Sequence, residues 1–226
     1  MSRLYLDANA TEPLRPEAHA AVLAALDVLG NPSSVHAEGR AARRVLEDAR
    51  EALATLVGLA PAAVVFTAGG TEANATALAG FRAEARRVLA SATEHDSVLH
   101  AVPEAERLAV DRDGVIDLAA LEAALADARP AAVAVMLANN ETGTLQPIAK
   151  VAALCRRAGA RLHVDAVQAP GRLPLGDLGA LGADTIALSA HKAGGPKGAG
   201  ALLLASGWWP GPLIRGGGQE RGMRAG

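Results

Sequence analysis

Aromatic residues are nearly missing from this 226-residue chain, at 2% of the sequence against 50% for hydrophobic residues as a whole. Its core must therefore be assembled mostly from alanine, valine and leucine, packed closely without large rings. Cysteine is scarcer still: with Cys155 alone, no intrachain disulfide can form. The longest apolar run, Ala131 to Ala138, is far short of the ~18 residues a membrane span requires, so no membrane is expected. Neither sign of charge dominates, and a net charge of -2 offers no electrostatic reason to expect nucleic acid or an anionic surface as partner. No internal repeat or low-complexity linker interrupts the sequence. What these absences leave is a soluble, cytoplasmic globular protein with enough chain to bury a real core.

What is present is a regular alternation. Pro16 to Leu29 reads as a helix with proline near its start and Gly30 just past its end, and Ala41 to Val57 reads as another, closed by Gly58. Strand-like runs follow at Val64–Thr67, Arg87–Ala90, Arg107–Val110, Val133–Leu137, Arg161–Val164, Thr185–Leu188 and Ala201–Leu204. Helical stretches such as Leu118–Ala126 and Ile148–Arg157 mostly separate them. The pattern predicts an α/β fold, a three-layer αβα architecture on a largely parallel, seven-stranded sheet. Ligands in such sheets bind beyond the carboxyl ends of the strands. Cys155 falls at helical spacing among alanines, where it acts as a small core hydrophobe with an unactivated thiol.

Chemistry-bearing residues gather at those strand ends. The run Asp184-Thr-Ile-Ala-Leu188 delivers Lys192 into a loop of polar and flexible residues, Ser189-Ala-His-Lys-Ala-Gly-Gly-Pro-Lys-Gly198, and the preceding strand ends in Asp165-Ala-Val-Gln168. A lysine and a carboxylate on successive strand ends suggest pyridoxal 5'-phosphate, whose aldehyde needs an amine and whose ring nitrogen needs an anion. A third element, Thr67-Ala-Gly-Gly-Thr-Glu-Ala-Asn74, follows a strand and opens a helix. Its small residues and free amide groups form a phosphate cradle, to which the Thr71 hydroxyl adds a hydrogen bond. The pattern does not continue as G-x-G-x-x-G, which counts against a dinucleotide-binding protein. Each piece also has a plainer reading, as a solvated turn, a helix cap or a tight strand-to-helix turn.

Seven blocks in order carry a closer likeness: Tyr5-Leu-Asp-Ala-Asn-Ala-Thr11, Gly30-Asn-Pro-Ser-Ser-Val-His36, Thr93-Glu-His95, Asn139-Asn-Glu-Thr-Gly143, His163-Val-Asp-Ala-Val-Gln168, Ser189-Ala-His-Lys192 and Gly216-Gly-Gly-Gln-Glu-Arg-Gly222. From end to end the chain resembles the cysteine desulfurases of the class V aminotransferase family. The resemblance implies the large domain of a pyridoxal phosphate-dependent transferase of fold type I, residues 1–226, with residues 1–14 as an N-terminal arm. It implies an enzyme that converts L-cysteine to L-alanine, passes persulfide sulfur to an acceptor protein in iron–sulfur or thiolated-product assembly, forms a homodimer and uses no metal.

The resemblance also assigns roles. Lys192 takes the cofactor's aldehyde and later moves the α-proton, and His95 meets the pyridine face and acts in proton transfer, although a histidine there equally reads as a cap. Asp165 pairs with the ring nitrogen, Gln168 with the phenolic oxygen, and Asn140, or Asn139 in its place, fixes the ring. Gly70, Thr71, Ser189 and His191 hold the phosphate. In the family the nucleophilic cysteine and an arginine for the substrate carboxylate lie in a small C-terminal domain beyond the region matching Gly226, so this chain reads as lacking that domain. Two further readings stay open: another class V lyase or aminotransferase, and a non-catalytic cofactor-binding or dimerisation module. The family pattern is broken where Gly70 replaces a common alanine and where Ala-Gly-Gly-Pro follows Lys192 in place of a bulkier aromatic.

Overall fold

In the computed structural model, which describes residues 4–84 and 86–226, seven strands form one sheet. They are β1 (Val64–Thr67), β2 (Arg87–Ser91), β3 (Glu106–Leu108), β4 (Ala131–Met136), β5 (Arg161–Asp165), β6 (Thr185–Ser189) and β7 (Gly200–Leu203), in the order β1-β7-β6-β5-β4-β2-β3. The strands from β6 across to β3 run parallel, while β7 is antiparallel to both its neighbours. The reason lies in the connection. Residues 190–199 hold only one 3-10 turn, Ala190–Lys192, too little chain for the crossover that a parallel neighbour needs. The expected three-layer, largely parallel architecture is present, and its one reversed hairpin carries the lysine loop.

Six helices accompany the sheet among the described residues: α1 (Pro16–Leu26), α2 (Ala37–Val57), α3 (Gly70–Ala83), α4 (Asp96–Leu99), α5 (Leu118–Leu125) and α6 (Ile148–Ala158). None is long and apolar enough to cross a membrane. The period-2 alternation of the strands sends one set of side chains to each layer. Val133, Val135, Leu162, Val164 and Ile186 join α5 and α6 in the larger core. On the opposite face α3 lays Ala73, Ala77, Leu78 and Phe81 against Val65, Val88, Ala132, Ala134 and Leu202. Alanine on both sides lets this helix sit close, which is how a core with few rings is filled. Phe81, fully buried, stacks on Trp208 with ring centroids 5.0 Å apart.

Several boundaries differ from the sequence reading. The helix read from Ala41 starts at Ala37, because the His36 side chain accepts from the Gly39 N–H at 3.3 Å and opens it a turn earlier. At its other end Gly58 sits at φ 70°, a left-handed closure suited to glycine. α1 stops at Leu26 rather than Leu29 and buries none of its residues, so nothing extends its last turn. Strand β4 begins at Ala131, two residues before the predicted start, because Ala131 and Ala132 pair with Arg87 and Val88. Alanine carries no local strand preference, and the ladder decides.

The glycine-rich C-terminal stretch is pinned. Met223 is buried beside Ala73, Ala77 and Leu202, and Glu220 reaches Arg50 at 2.7 Å. The same carboxylate accepts from the Phe66 N–H at 2.8 Å, while Arg50 Nη1 and Arg221 Nη2 donate to the Val64 carbonyl at 2.9 and 2.7 Å. These are the outward-facing backbone groups of edge strand β1, so side chains stand where another strand would pair.

Candidate active site

The ends of β2, β4, β5 and β6 and the first turn of α3 surround a pocket of about 220 Å³. Gly70, Thr71, His95, Asn140, Asp165 and Gln168 all line it, as do Ser189, His191 and Lys192. The fold thus brings every sequence-assigned site residue to one place. A larger open cleft of about 1200 Å³ lies along α2 and the C-terminal stretch, where Arg50 pairs with Glu220 at 2.7 Å and Arg224 reaches Glu72 at 2.9 Å.

Asp165 forms the buried floor, 7% exposed. Its Oδ1 accepts from the Val167 N–H at 2.9 Å and its Oδ2 from the Asn74 amide at 2.7 Å. Burial pushes the carboxyl above its usual range, against the pull of those two donors and of positive charge on His95 and Lys192. Lys192, on the short turn after β6, donates from Nζ to the Asn9 carbonyl at 2.6 Å. Burial, and next the Arg172 guanidinium, hold its amine below the usual lysine value despite Asp165, Asp7 and Glu141. An amine eased toward its neutral form therefore shares a pocket with a buried carboxylate, an arrangement suited to bonding an aldehyde while keeping a nearby ring nitrogen protonated.

At the mouth of α3, Gly69 has no side chain to cap the first amide groups. Those amides and the exposed Thr71 hydroxyl are open to an anion. A Cβ at Gly70 would stand 2.5 Å from Val167 Cγ2, so the alanine common in the family would require the Val167 side chain to move. Ser189 is buried at the end of β6, and His191 Nδ1 lies 3.2 Å from Thr11 Oγ1. Burial, then Lys192 and Lys197, keep the His191 imidazole below its usual value.

His95 stands at the start of α4 and at the pocket wall at once. It caps α4, its Nδ1 accepting from the Ser97 N–H at 3.0 Å, and it lines the pocket. Because the Ser97 N–H can only donate, Nδ1 carries no proton in the neutral ring, and the proton sits on Nε2. Asn139 and Asn140 do not exchange. The Asn139 Oδ1 accepts from the Glu141 and Thr142 N–H groups at 2.8 and 2.9 Å and shapes the turn, while Asn140 lines the pocket. Gln168 donates from Nε2 to the Asn9 carbonyl at 3.0 Å, and its buried Oε1 has no partner among the described residues.

Sequence reasoning passed over Asn9, Asn74 and Arg172. Asn9 and Asn74 lay inside stretches already singled out, but the alternation of apolar residues says nothing about a backbone carbonyl that two side chains share or an amide aimed across the sheet. Arg172 donates to the carbonyls of Lys192 and Ala8 at 2.8 and 2.9 Å, tying the N-terminal segment to the lysine turn, and no local signal marks it.

Known proteins place the same picture in a family. The family model described as aminotransferase class-V matches residues 4–218. A curated protein named cysteine desulfurase from Cereibacter sphaeroides is 47% identical over 239 residues, covering 100% of this chain and 61% of that protein. An IscS-like cysteine desulfurase from Mycobacterium tuberculosis is 42% identical, with 98% of this chain and 60% of the relative covered. Among solved structures, a NifS-like protein from Rickettsia africae superposes with a TM-score of 0.92 at 35% identity over 100% of this chain and 64% of its own. SspA in complex with cysteine superposes at 0.89 with 31% identity, covering 99% and 68%. The chain spans about three fifths of the length of these curated relatives. With the αβα fold, the pocket at its strand ends and a family match running through both, the chain belongs to the aminotransferase class-V family, alongside relatives named cysteine desulfurases.

Proposed function

We propose that this chain is the pyridoxal phosphate-binding large domain of a cysteine desulfurase, residues 1–226 with residues 1–14 as its N-terminal arm. It would act on L-cysteine, releasing L-alanine while sulfur leaves as a persulfide on a protein thiol. The observation that carries the reading is the meeting of Lys192 and Asp165 in one pocket beside an uncapped helix start. The names of the relatives and the cysteine-bound neighbour support the substrate. A homodimer in the cytoplasm, serving a sulfur-acceptor protein, completes the reading on the family resemblance.

The residues present fit the cofactor. Asp165 is a buried carboxyl held by two hydrogen-bond donors, and Gln168 Oε1 is a buried acceptor without a partner among the described residues. When bound, pyridoxal phosphate supplies an electron sink for bonds at the substrate α-carbon. Lys192 would hold the cofactor's aldehyde through Nζ and, once released, would hold the substrate α-proton, and its lowered pKa leaves more of the amine neutral for both tasks. Asp165 would keep a proton on the ring nitrogen, with Gln168 and Asn140 placed to orient the ring. His95 serves the ring face and proton transfer through Nε2. Gly70, Thr71, Ser189 and His191 bind the phosphate. Cys155 takes no part, because it is buried in α6 and burial, with Asp184 adding to it, pushes its thiol up to about 12.

The test is to mix the purified chain with pyridoxal phosphate, follow the visible absorbance, reduce with borohydride and map the modified peptide. The expected result is one cofactor on Lys192, lost in Lys192→Ala. A folded chain that gains no adduct, or one modified elsewhere, would overturn the reading.

A further inference from the structure

Asn74 is fully buried on the side of α3 facing β5, and both ends of its amide are engaged. Nδ2 donates to Asp165 Oδ2 at 2.7 Å and to Ser97 Oγ at 2.8 Å, and Oδ1 lies 2.9 Å from His163 Nε2. Chemistry decides which way the amide points. A carboxylate offers no proton, so NH2 must face Asp165 and the carbonyl must face His163. His163 Nε2 therefore donates, and His163 Nδ1 accepts from Thr185 Oγ1 at 2.9 Å. Burial keeps this imidazole neutral, with its pKa pushed down to about 3. On the other side, the Ser97 hydroxyl, 2.9 Å from the unprotonated Nδ1 of His95, is the donor. One directed chain of hydrogen bonds thus runs from Thr185 through His163 to Asn74, where it divides toward Asp165 and toward His95.

We propose that Asn74, oriented by His163 and Thr185, is the positioning residue that keeps Asp165 a carboxylate aimed at the cofactor's ring nitrogen. The inference rests on the function proposed above. A buried carboxylate with too few donors takes up a proton, and Asp165 carrying its own proton would no longer hold one on the ring. An amide suits this place better than a cation, since lysine or arginine would neutralise Asp165 and compete with the ring N–H. Other titratable groups face the same carboxylate: Lys192 from the turn after β6, and His95 at the start of α4 when it carries a proton, favour its ionisation, while Glu94, in the turn after β2, is kept largely neutral by burial, which pushes it up to about 8. His163, two residues earlier on β5, contributes no charge.

Two readouts test the proposal. In the cofactor-free chain, carbon-13 NMR follows the titration of the Asp165 carboxyl. In the chain loaded with pyridoxal phosphate labelled at the ring nitrogen, nitrogen-15 NMR reports whether that nitrogen is protonated. Asn74→Ala is expected to move the Asp165 midpoint up by about one unit, shift the ring nitrogen toward its unprotonated resonance and weaken cofactor retention about tenfold. His163→Leu, which leaves the Asn74 carbonyl without its donor, should act in the same direction, whereas His163→Gln, which restores an N–H donor, should lie near the wild type. A folded Asn74→Ala whose Asp165 titrates as in the wild type would overturn the proposal, as would identical behaviour of the two His163 variants. If Asn74→Ala does not fold, the His163 pair decides. Failure of the wild-type chain to take up pyridoxal phosphate would count against the proposed function, while the cofactor-free titration would still decide this inference.

Discussion

Lys192 Nζ stands 2.6 Å from the carbonyl oxygen of Asn9, a residue 183 positions earlier in the chain. The same carbonyl takes the Gln168 amide at 3.0 Å, and Arg172 clamps the two segments by donating to Lys192 O and Ala8 O. Removing the guanidinium removes both the clamp and a positive charge that lowers the lysine pKa. Arg172→Ala should therefore raise that pKa, by about half a unit, and slow adduct formation with pyridoxal phosphate about threefold at neutral pH. The check is the pH dependence of the rate at which the visible band appears. An unchanged profile would mean that the clamp has no electrostatic role.

Two buried titratable groups set opposite stability slopes. His163 is pushed from 6.5 down to about 3, so the folded state binds fewer protons than the unfolded chain between those values. Its contribution is complete above 6.5 and is lost as pH falls toward 3. Glu94, whose Oε1 accepts from the Met136 N–H at 2.6 Å and whose Oε2 has no partner among the described residues, is pushed from 4.5 up to about 8, first by burial. Its contribution is complete below 4.5 and is lost as pH rises toward 8. The two slopes oppose each other between 4.5 and 6.5, which predicts a plateau there, with stability falling above it by up to about 1.4 kcal/mol per pH unit. Glu94→Gln should abolish the fall at the alkaline side. Urea midpoints measured from pH 4 to pH 8.5 provide the test, and a wild-type curve that still rises above pH 7 would contradict it.

The Arg50–Glu220 pair has side chains only 4% and 7% exposed, and it covers the edge of β1. Glu220→Ala would leave the Phe66 N–H without its acceptor and the buried Arg50 guanidinium with Glu47, at 3.1 Å, as its remaining carboxylate partner, at a cost of about 2 kcal/mol. Replacing both residues with methionine should cost less in stability but expose the strand edge, so that the chain self-associates. Denaturant midpoints and light scattering separate the two effects. A double variant that stayed as monodisperse as the wild type would show that the edge needs no such cover.

Cys155, whose thiol is pushed up to about 12, should stay unreactive toward a thiol reagent at pH 8 in the folded chain and react at once in denaturant. Cys155→Ala should bind pyridoxal phosphate as the wild type does. Rapid labelling of the native chain would reopen a role for this residue in sulfur transfer.

Much of the architecture was legible in advance because its signals are local. Apolar runs such as Thr185–Leu188 mark strands by themselves, and Gly58 and Gly159 close the helices before them in the left-handed region. What stayed hidden depended on partners far away. Ala131 and Ala132 enter a strand only because Arg87 and Val88 pair with them. Glu220 and Arg221, at φ 45° and 57°, hold a left-handed turn that local preference disfavours, in the stretch anchored by the Arg50 pair and by buried Met223.

The candidate site divides in the same way. Lys192, Asp165 and the Gly69-Gly70 turn could be named from the sequence, since each follows directly on an apolar run and strand ends converge in an α/β sheet. The order of residues along the chain thus determined the layers, the end of the sheet that carries the pocket, and the side chains offered there. Only the tertiary structure decided how those side chains are held: the Asn9 carbonyl over Lys192, the Asn74 amide beneath Asp165, and neutral His163 behind it. Hydrogen bonds between residues tens to hundreds of positions apart leave no periodic trace in a sequence, because their geometry exists only once the sheet has brought its strands together.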